Sequence, residues 1–285
     1  MALWKSILAY DGNAYNGWQV QLGLPTIQGA LTQAIQHVTG EAVLPQGSGR
    51  TDSGVHALGQ VASFSTSIPI PAANLHRALN RALPPAIRIL SLEAAPIGFH
   101  ARHSSIGKTY EYRIFPTRPN TPNSQPDPMP RICSPMLAPY IWDCHLPLDH
   151  KALQQAARSI LGTHDFTSFA ASDPDQATRR QNASEPIPDE PIHATNIRTI
   201  HHSHWTFEPD LLTYRISGNG FLHHMVRNLI GTFVEAACGR IPADSIPQIF
   251  TACNRAAAGP TAPPQGLFLI EVHYQENHML PAEAR

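Results

Sequence analysis

Residues 47–60 read GSGRTDSGVHALGQ, a glycine-rich stretch between a predicted helix and a predicted strand. It places one carboxylate, Asp52, between Arg50 and Gly54, with His56 close behind. Glycine permits sharp turns and close backbone approaches that other residues do not. One interpretation is a tight turn in which Asp52 and Ser53 bond their own backbone. The other is a loop that holds the carboxylate in a fixed position, and the stretch alone leaves both open.

The segments on either side of this loop predict a strand–helix–strand–helix–strand order. The N-terminal WKSILAYDG alternates apolar and polar residues and ends in Asp-Gly, as a strand before a turn does. TIQGALTQAIQHVTG places its apolar residues on one helical face, with Thr26 as N-cap and Gly40 as the end. After the loop, QVASFST predicts a strand, AANLHRALNRAL (72–83) a helix and IRILSLEAAP another strand.

A similar order recurs at greater length in the second half. KTYEYRIF (108–115) alternates strongly and predicts a strand, and LLTYRISGNG and GLFLIEVHY predict two more. DHKALQQAARSILG and FLHHMVRNLIGTFVEAACG predict helices. The proline-rich residues 116–147 and the polar residues 171–195 predict surface insertions. We therefore expect two related α/β halves, residues 1–105 and 106–285.

Composition limits how such a chain could bind nucleic acid. Of 285 residues, 42% are hydrophobic, enough for a core, whereas 14% are charged and the formal net charge is −1. This balance supplies no overall attraction to phosphate, so nucleic-acid binding would need a local basic patch. The candidate phosphate contacts, each of which could equally be a solvated surface residue, are Arg77, Arg81, Arg88, Arg102 and Lys108.

The cysteines and the apolar segments predict a cytoplasmic protein without a membrane partner. The four cysteines show neither a CxxC spacing nor a zinc pattern, so we expect free thiols in a reducing compartment. Lys5 interrupts the short apolar run at the N-terminus, which argues against a signal peptide. No segment approaches the roughly 20 apolar residues that a membrane helix needs.

The predicted helix at 222–238 has two different faces. Its apolar residues follow helical spacing, whereas His223, Arg227 and Gly231 recur every four residues off that stripe. The small Gly231 would leave room for another group to approach Arg227, although Arg227 could also be a solvated surface residue. The pair His223–His224 lacks a third ligand at a suggestive spacing, so no metal is expected.

The segment ARHSSIGKTYEYRI combines basic residues with aromatic ones just before and within a predicted strand. Tyr110 and Tyr112 point to the same strand face, and Lys108 precedes them. Cations bind phosphates and aromatic rings stack on unpaired bases, which suits RNA. Tyrosines that fill a β core, with their hydroxyl groups bonded, would give the same pattern.

Five segments in order resemble the bacterial tRNA pseudouridine synthase A family: GRTDSGVHALGQVASF, ARHSSIGKTYEYRI, LGTHDFTSF, GNGFLHHMVRNLIG and GLFLIEVHY. The opening YDGNAYNGWQVQ is also similar to that family. The resemblance implies an isomerase that converts uridine to pseudouridine at positions 38, 39 and 40 of the tRNA anticodon stem-loop, without cofactor or metal. It implies an α+β fold of two α/β halves of similar topology, with antiparallel or mixed sheets joined edge to edge, flanking helices and the active cleft between the halves. It also implies a homodimer.

The resemblance assigns roles to five residues. Asp52 matches the catalytic aspartate, and Arg227 matches the basic residue that orients its carboxylate. Arg50 matches the arginine that helps to extract the target nucleotide. Tyr110 and Leu267 match the two residues that hold the flipped base. Whether Asp52 acts as a nucleophile or as a base stays open, because either route needs an ionised carboxylate.

Two other functions would share some of these features. A non-catalytic RNA-binding module of the same fold would be expected to lack the aspartate, the tyrosine or the arginine. A glycoside hydrolase would need a second carboxylate at a suitable separation. Asp165, Glu111 and Glu271 are the candidates, and we expect Asp165 to be a turn or cap residue.

Overall fold

The computed structural model describes residues 1–116, 131–171, 195–242 and 244–275, and the chain divides into two units. The first unit comprises Met1–Lys108 together with the chain from Leu269 onward, and the second comprises Thr109–Phe268. This division assigns the end of the chain to the first unit, unlike the predicted halves 1–105 and 106–285. Residues 117–130 and 172–194, the larger part of the two predicted insertions, lie outside the described residues.

The first unit is built around strand β1 (Ala2–Tyr10), in which every second side chain from Trp4 to Tyr10 is buried. The other elements are α1 (Ile27–Thr39), β2 (Gln46–Gly47), β3 (His56–Thr66), α2 (Ala72–Ala82) and β4 (Ile87–Ala94). Strand β1 pairs antiparallel with β3 and β4, and β2 pairs antiparallel with β3. The last strand, β10 (Leu267–Tyr274), joins this sheet next to β3 and gives the order β4-β1-β3-β10.

Helix α1 confirms the predicted end signals. The Thr26 side chain accepts a hydrogen bond from the Gly29 N–H and so caps the helix N-terminus. Gly40 adopts a left-handed conformation with φ of 75° and ends the helix. The buried face comprises Ile27, Gln28, Leu31, Ala34 and Ile35. Strand β3 then starts directly after the Asp52 loop.

Within its described residues, the second unit contains the rest of β5 (Ser105–Pro116), which begins in the first unit, together with four further strands and three α-helices. These are β6 (Trp142–Cys144), α3 (His150–Arg158), β7 (Gly162–Asp165), β8 (Ile197–Phe207), β9 (Leu212–Gly218), α4 (Met225–Ala237) and α5 (Ile246–Ala252). The strand order is β5-β9-β8-β7, with antiparallel β7–β8 and β8–β9 pairs. Strand β6 pairs parallel with β5, so the sheet is mixed. The observed elements confirm an α+β fold class.

Helix α4 begins later than the sequence pattern predicts. It starts at Met225 because His224, at φ of 59°, adopts a left-handed conformation that breaks the helix. Met225, Val226, Leu229 and Phe233 are buried as predicted. Within Met225–Ala237 only Arg227 and Glu235 are not buried, so the helix is enclosed on nearly every side. His223 therefore lies outside the helix and cannot share a helical face with Arg227.

Strand β8 was not predicted from the sequence. Its segment IRTIHHSHWTF carries three histidines, and its burial is irregular because the pairing with β9 shifts between Ile200 and His202. All four cysteines are free thiols. Among the described residues, no helix is both long enough and apolar enough to cross a membrane.

Candidate active site

The Asp52 loop is fixed by backbone hydrogen bonds on both sides of the aspartate. The Trp18 N–H donates to the Thr51 carbonyl (3.0 Å), and the Val55 N–H donates to the Asp52 carbonyl (3.1 Å). Gly54 closes the turn with φ of 77°, a conformation that favours glycine. Asp52 is half-buried and Arg50 is exposed. The backbone turn expected from the first interpretation is thus present, and it also fixes the position of the carboxylate-bearing residue.

A buried polar cluster of Tyr10, Ser48 and Gln60 is hydrogen-bonded to the loop. The Ser48 hydroxyl donates to Gln60 Oε1 (2.7 Å), and Gln60 Nε2 donates to the Gly49 carbonyl (2.9 Å). The Tyr10 hydroxyl is 2.8 Å from Thr51 Oγ1, one residue before Asp52. Because buried polar groups cost free energy unless they are hydrogen-bonded, such a cluster favours one arrangement of the loop.

Burial raises the pKa of Tyr10 to about 12, although the hydrogen bonds with Thr51 and Gln60 act in the opposite direction. The phenol therefore keeps its proton around neutral pH and remains available as a hydrogen-bond donor beneath the loop. The sequence analysis missed Tyr10 and Gln60. The only available signal was their position in strands that flank the loop.

His56 has a structural role in the loop. Only 1% of its surface is exposed, and its Nδ1 accepts a hydrogen bond from the Gly12 N–H (3.1 Å). This bond joins the start of β3 to the turn that follows β1. The histidine of the glycine-rich stretch thus helps to hold the frame of the loop.

Lys108 is the basic residue that the structure places beside the loop within the first unit. Its Cε and Nζ lie 3.2 and 3.5 Å from the position that a Cβ on Gly49 would occupy. Two other candidate phosphate contacts bind local groups: Arg88 donates to the carbonyls of Pro84 (2.7 Å) and Ile87 (2.6 Å), and Arg77 donates to Asn74 Oδ1 (2.6 Å). The Lys108 ammonium group thus lies next to Gly49 of the loop.

In the second unit, Arg227 is the third residue of α4 and binds a neighbouring segment of backbone. Its Nε donates to the Ala262 carbonyl (2.8 Å), and its own carbonyl accepts from the Ala262 N–H (3.1 Å). The room predicted beside Arg227 at Gly231 does not exist. A Cβ on Gly231 would lie 1.6 Å from the Pro260 carbonyl oxygen, so protein backbone fills that space.

The two tyrosines of β5 are both buried but have different surroundings. Tyr110 packs edge-on against Phe221, with ring centroids 5.1 Å apart. The Tyr112 hydroxyl donates to the Pro263 carbonyl (2.8 Å). Burial raises the pKa of the Tyr112 phenol well above its usual value, and the positive charge of Arg227 opposes that rise. Tyr112 is thus a core residue with a bonded hydroxyl.

Leu267 is the first residue of β10 and is buried. A short 3-10 helix, Pro264–Gly266, separates it from Ala262 and Pro263, which bind Arg227 and Tyr112. The structure thus joins Arg227 and Leu267 to one continuous stretch of chain within the second unit. Asp52 and Arg50 likewise share one loop of the first unit.

The acids considered for a hydrolase are engaged in structural interactions. Asp165 Oδ1 accepts from the Thr167 N–H (2.9 Å) and hydroxyl (2.5 Å), as expected of a turn residue. Glu111 forms ion pairs with Arg113 (2.9 Å) and Arg215 (3.2 Å). Glu271 is largely exposed and lies 3.9 Å from His273. None of these three has the setting of a general acid in an apolar pocket.

His223 and His224 are neighbours within the second unit. The rings of His223 and His224 lie 4.0 Å apart, immediately before α4.

Comparison with known proteins reveals similarity along most of the chain. A family model described as tRNA pseudouridine synthase matches residues 7–104 and 156–275. The matched ranges include Arg50, Asp52, Arg227 and Leu267, whereas Tyr110 lies between them.

Three relatives, all called tRNA pseudouridine synthase A, are similar over nearly their whole length. The protein from Solibacter usitatus is 44% identical over 268 residues, which cover 94% of this chain and 97% of that protein. The Acetivibrio thermocellus protein is 39% identical over 270 residues, and the Bacillus subtilis protein is 38% identical over 272 residues. For both, the match covers 95% of this chain and 98% of the relative.

Proposed function

Because the chain belongs to the tRNA pseudouridine synthase family, we propose that it isomerises uridine to pseudouridine in tRNA. The substrate positions are 38, 39 and 40 of the anticodon stem-loop. The observation that carries the proposal is the Asp52 loop, whose turn and buried polar support match what a fixed catalytic carboxylate needs.

The reaction exchanges one bond of the ribose carbon for another. The C1′–N1 bond of the uridine breaks, the base turns, and a C1′–C5 bond forms. C5 then loses its proton and N1 ends protonated, so the product is an isomer of the substrate. Positive charge develops at C1′ during cleavage, and the ionised Asp52 stabilises it, attacks C1′ as a nucleophile, or removes a neighbouring proton as a base. Each route requires a carboxylate held in one place, which the supported loop favours.

The substrate must be flipped out of the stem-loop before its C1′ is reachable, which costs a few kcal/mol. Arg50, exposed in the same loop as Asp52, fills the vacated space and bonds the backbone of the displaced nucleotide. Tyr110 stacks on the flipped base, and Leu267 contacts the opposite face. These two side chains exclude water, which would otherwise trap the detached base as a hydrolysis product.

Arg227 orients the Asp52 carboxylate through its guanidinium group. Arginine suits this role because its planar, permanently charged group binds carboxylates through paired hydrogen bonds. The bond from its Nε to the Ala262 carbonyl supports the proposal, since it limits the directions that the group can take.

tRNA binding depends on local basic residues because the net charge of the chain is −1. Lys108, beside the loop, and the exposed Arg102 supply the basic patch that contacts phosphate. We further propose a cytoplasmic homodimer, in which two such patches bind one tRNA. Sedimentation at micromolar concentration would show a species of twice 31.2 kDa, and a monomer at all concentrations would contradict the dimer.

The test is release of tritium from tRNA that carries [5-³H]uridine. The proposal predicts stoichiometric release from a transcript with uridines at 38–40 and none from a transcript with cytidines there. A non-catalytic RNA-binding module would bind both transcripts and release no tritium. Release that persists after replacement of all three uridines would contradict the assigned positions.

A further inference from the structure

Residues 255–263 run along helix α4 and are bonded to it at several points. The pairing of Arg227 with Ala262 is reciprocal, since each donates to the other's carbonyl. Further along α4, the Gly259 N–H donates to Thr232 Oγ1 (2.9 Å), and Thr232 itself donates to the Asn228 carbonyl (2.7 Å). Hydrogen bonds thus hold residues 255–263 against α4.

Arg255 lies at the centre of this connection. Its Nη1 donates to the carbonyls of Gly259 (2.9 Å) and Ala258 (3.4 Å). Its Nη2 donates to Asn228 Oδ1 (3.0 Å) and Thr261 Oγ1 (3.2 Å). One side chain therefore bonds the segment on both sides of Pro260 and also binds the helix.

Asn228 is the helix side of the same network. It is fully buried and directly follows Arg227. Its Nδ2 donates to the Phe169 carbonyl (2.7 Å), and its Oδ1 accepts from both Arg255 and Thr261. The buried amide has little freedom to move, because its oxygen accepts two hydrogen bonds and its nitrogen donates one to another loop.

The position of Ala262 decides how the Arg227 side chain is held. The bond to the Ala262 carbonyl uses the Nε donor, so an acidic group bound by Arg227 has to be bound through its terminal amino groups. If residues 255–263 shift, the Ala262 carbonyl that accepts from Arg227 Nε shifts with them. The plane of the guanidinium group then turns. Shifts of about 1 Å in a catalytic arrangement can reduce rates roughly 100-fold.

We infer that Arg255 is a positioning residue for the isomerase reaction: through Asn228 and Thr261 it fixes the Ala262 carbonyl that orients Arg227. This inference rests on the proposed role of Arg227. Lysine cannot replace Arg255, since a single ammonium group cannot reach four acceptors in the planar arrangement that the guanidinium group bonds.

The decisive experiment is a double-mutant cycle of Arg255→Lys and Arg227→Lys, with single-turnover tritium release and tRNA affinity measured for each variant. Arg255→Lys alone should lower the rate about 10-fold and leave the tRNA Kd within about 2-fold. In the Arg227→Lys background, which lacks the Nε–H, Arg255→Lys should cost less than about 2-fold. Equal losses in both backgrounds, or no loss in the single variant, would overturn the inference.

Two further variants separate positioning from general loss of structure. Arg240→Lys changes another arginine of the same unit, one paired with Glu235 in an exposed position, and should leave the rate unchanged. Thr261→Val removes two hydrogen bonds of the network, those with Arg255 and Asn228. If Arg255→Lys fails to fold, the same cycle is measured with Thr261→Val. The function itself is tested separately, because absence of tritium release by the wild-type protein would refute the isomerase activity and not the network.

Discussion

At the residue scale, the central feature is the loop that carries Asp52, which buried polar neighbours bond through Gly49 and Thr51. Asp52 and its glycines stand out in the sequence, but the side chains that support them do not. Gln60 is separated from Ser48 by 12 residues and from Tyr10 by 50, and the three meet because β3 pairs with both β1 and β2. Sequence patterns identify the chemical group, whereas its support depends on strand pairing.

Replacing Gln60 with leucine tests this support. The change leaves the Ser48 hydroxyl and the Gly49 carbonyl without their partner, which should cost about 1–3 kcal/mol of the free energy of unfolding. The looser loop should also reduce the single-turnover rate. Urea denaturation and tritium release measure the two effects.

Gln46→Leu is the matched control for this change. Gln46 lies just before the loop, in β2, and is exposed, with its side chain bonded to the Leu44 carbonyl. It should alter stability by less than about 0.5 kcal/mol. Equal effects of the two substitutions would show that the buried cluster does not support the loop.

At the element scale, helix α4 shows both the success and the limit of periodicity. The apolar spacing correctly identified Met225, Val226, Leu229 and Phe233 as buried. It also extended the helix back to Leu222, because hydrophobic spacing carries no information about the left-handed backbone at His224. Helix α1, by contrast, was predicted at both ends because Thr26 and Gly40 act through local hydrogen bonds.

Gly231 illustrates a contact that local patterns cannot reveal. Its partner, Pro260, is 29 residues away in the sequence, so the small side chain looked like open space beside Arg227. The Gly231→Ala substitution should cost about 1–3 kcal/mol in stability, because the new methyl group forces the Pro260 backbone away from α4. It should lower the rate as well, since the Ala262 carbonyl moves with that backbone.

Thermal unfolding and tritium release would measure the effect of Gly231→Ala. Gly220→Ala in the same unit provides the comparison, because the nearest atom to its added methyl group would be in the flexible Arg198 side chain, at 3.4 Å. A Gly231→Ala protein as stable and as active as Gly220→Ala would contradict the close packing of Pro260 against Gly231 of α4.

At the scale of the whole molecule, the near-neutral charge makes tRNA binding dependent on a few well-placed cations. The bulk composition predicted this need, and the structure places the Lys108 side chain next to Gly49 of the Asp52 loop. Arg88 and Arg77 were equally plausible from the sequence, but their hydrogen bonds to local groups became visible only in the folded chain.

Lys108→Ala should weaken tRNA binding and reduce the magnitude of the slope of log K against log salt by about 1. The reason is that a protein with one phosphate contact fewer releases about one counterion fewer on binding. Affinities measured at several salt concentrations give this slope. Lys151→Ala, at an exposed position of α3, should leave it unchanged. Equal slopes for wild-type protein and Lys108→Ala would remove Lys108 from the binding surface.

The measurement that bears most directly on the proposed mechanism combines catalysis and binding in the Asp52→Asn variant. Asparagine preserves the size of the side chain but removes the negative charge that every route requires. We expect no detectable tritium release from [5-³H]uridine tRNA, with the tRNA Kd within a few-fold of wild type. Turnover at an undiminished rate in Asp52→Asn would contradict the assignment of the reaction to this carboxylate.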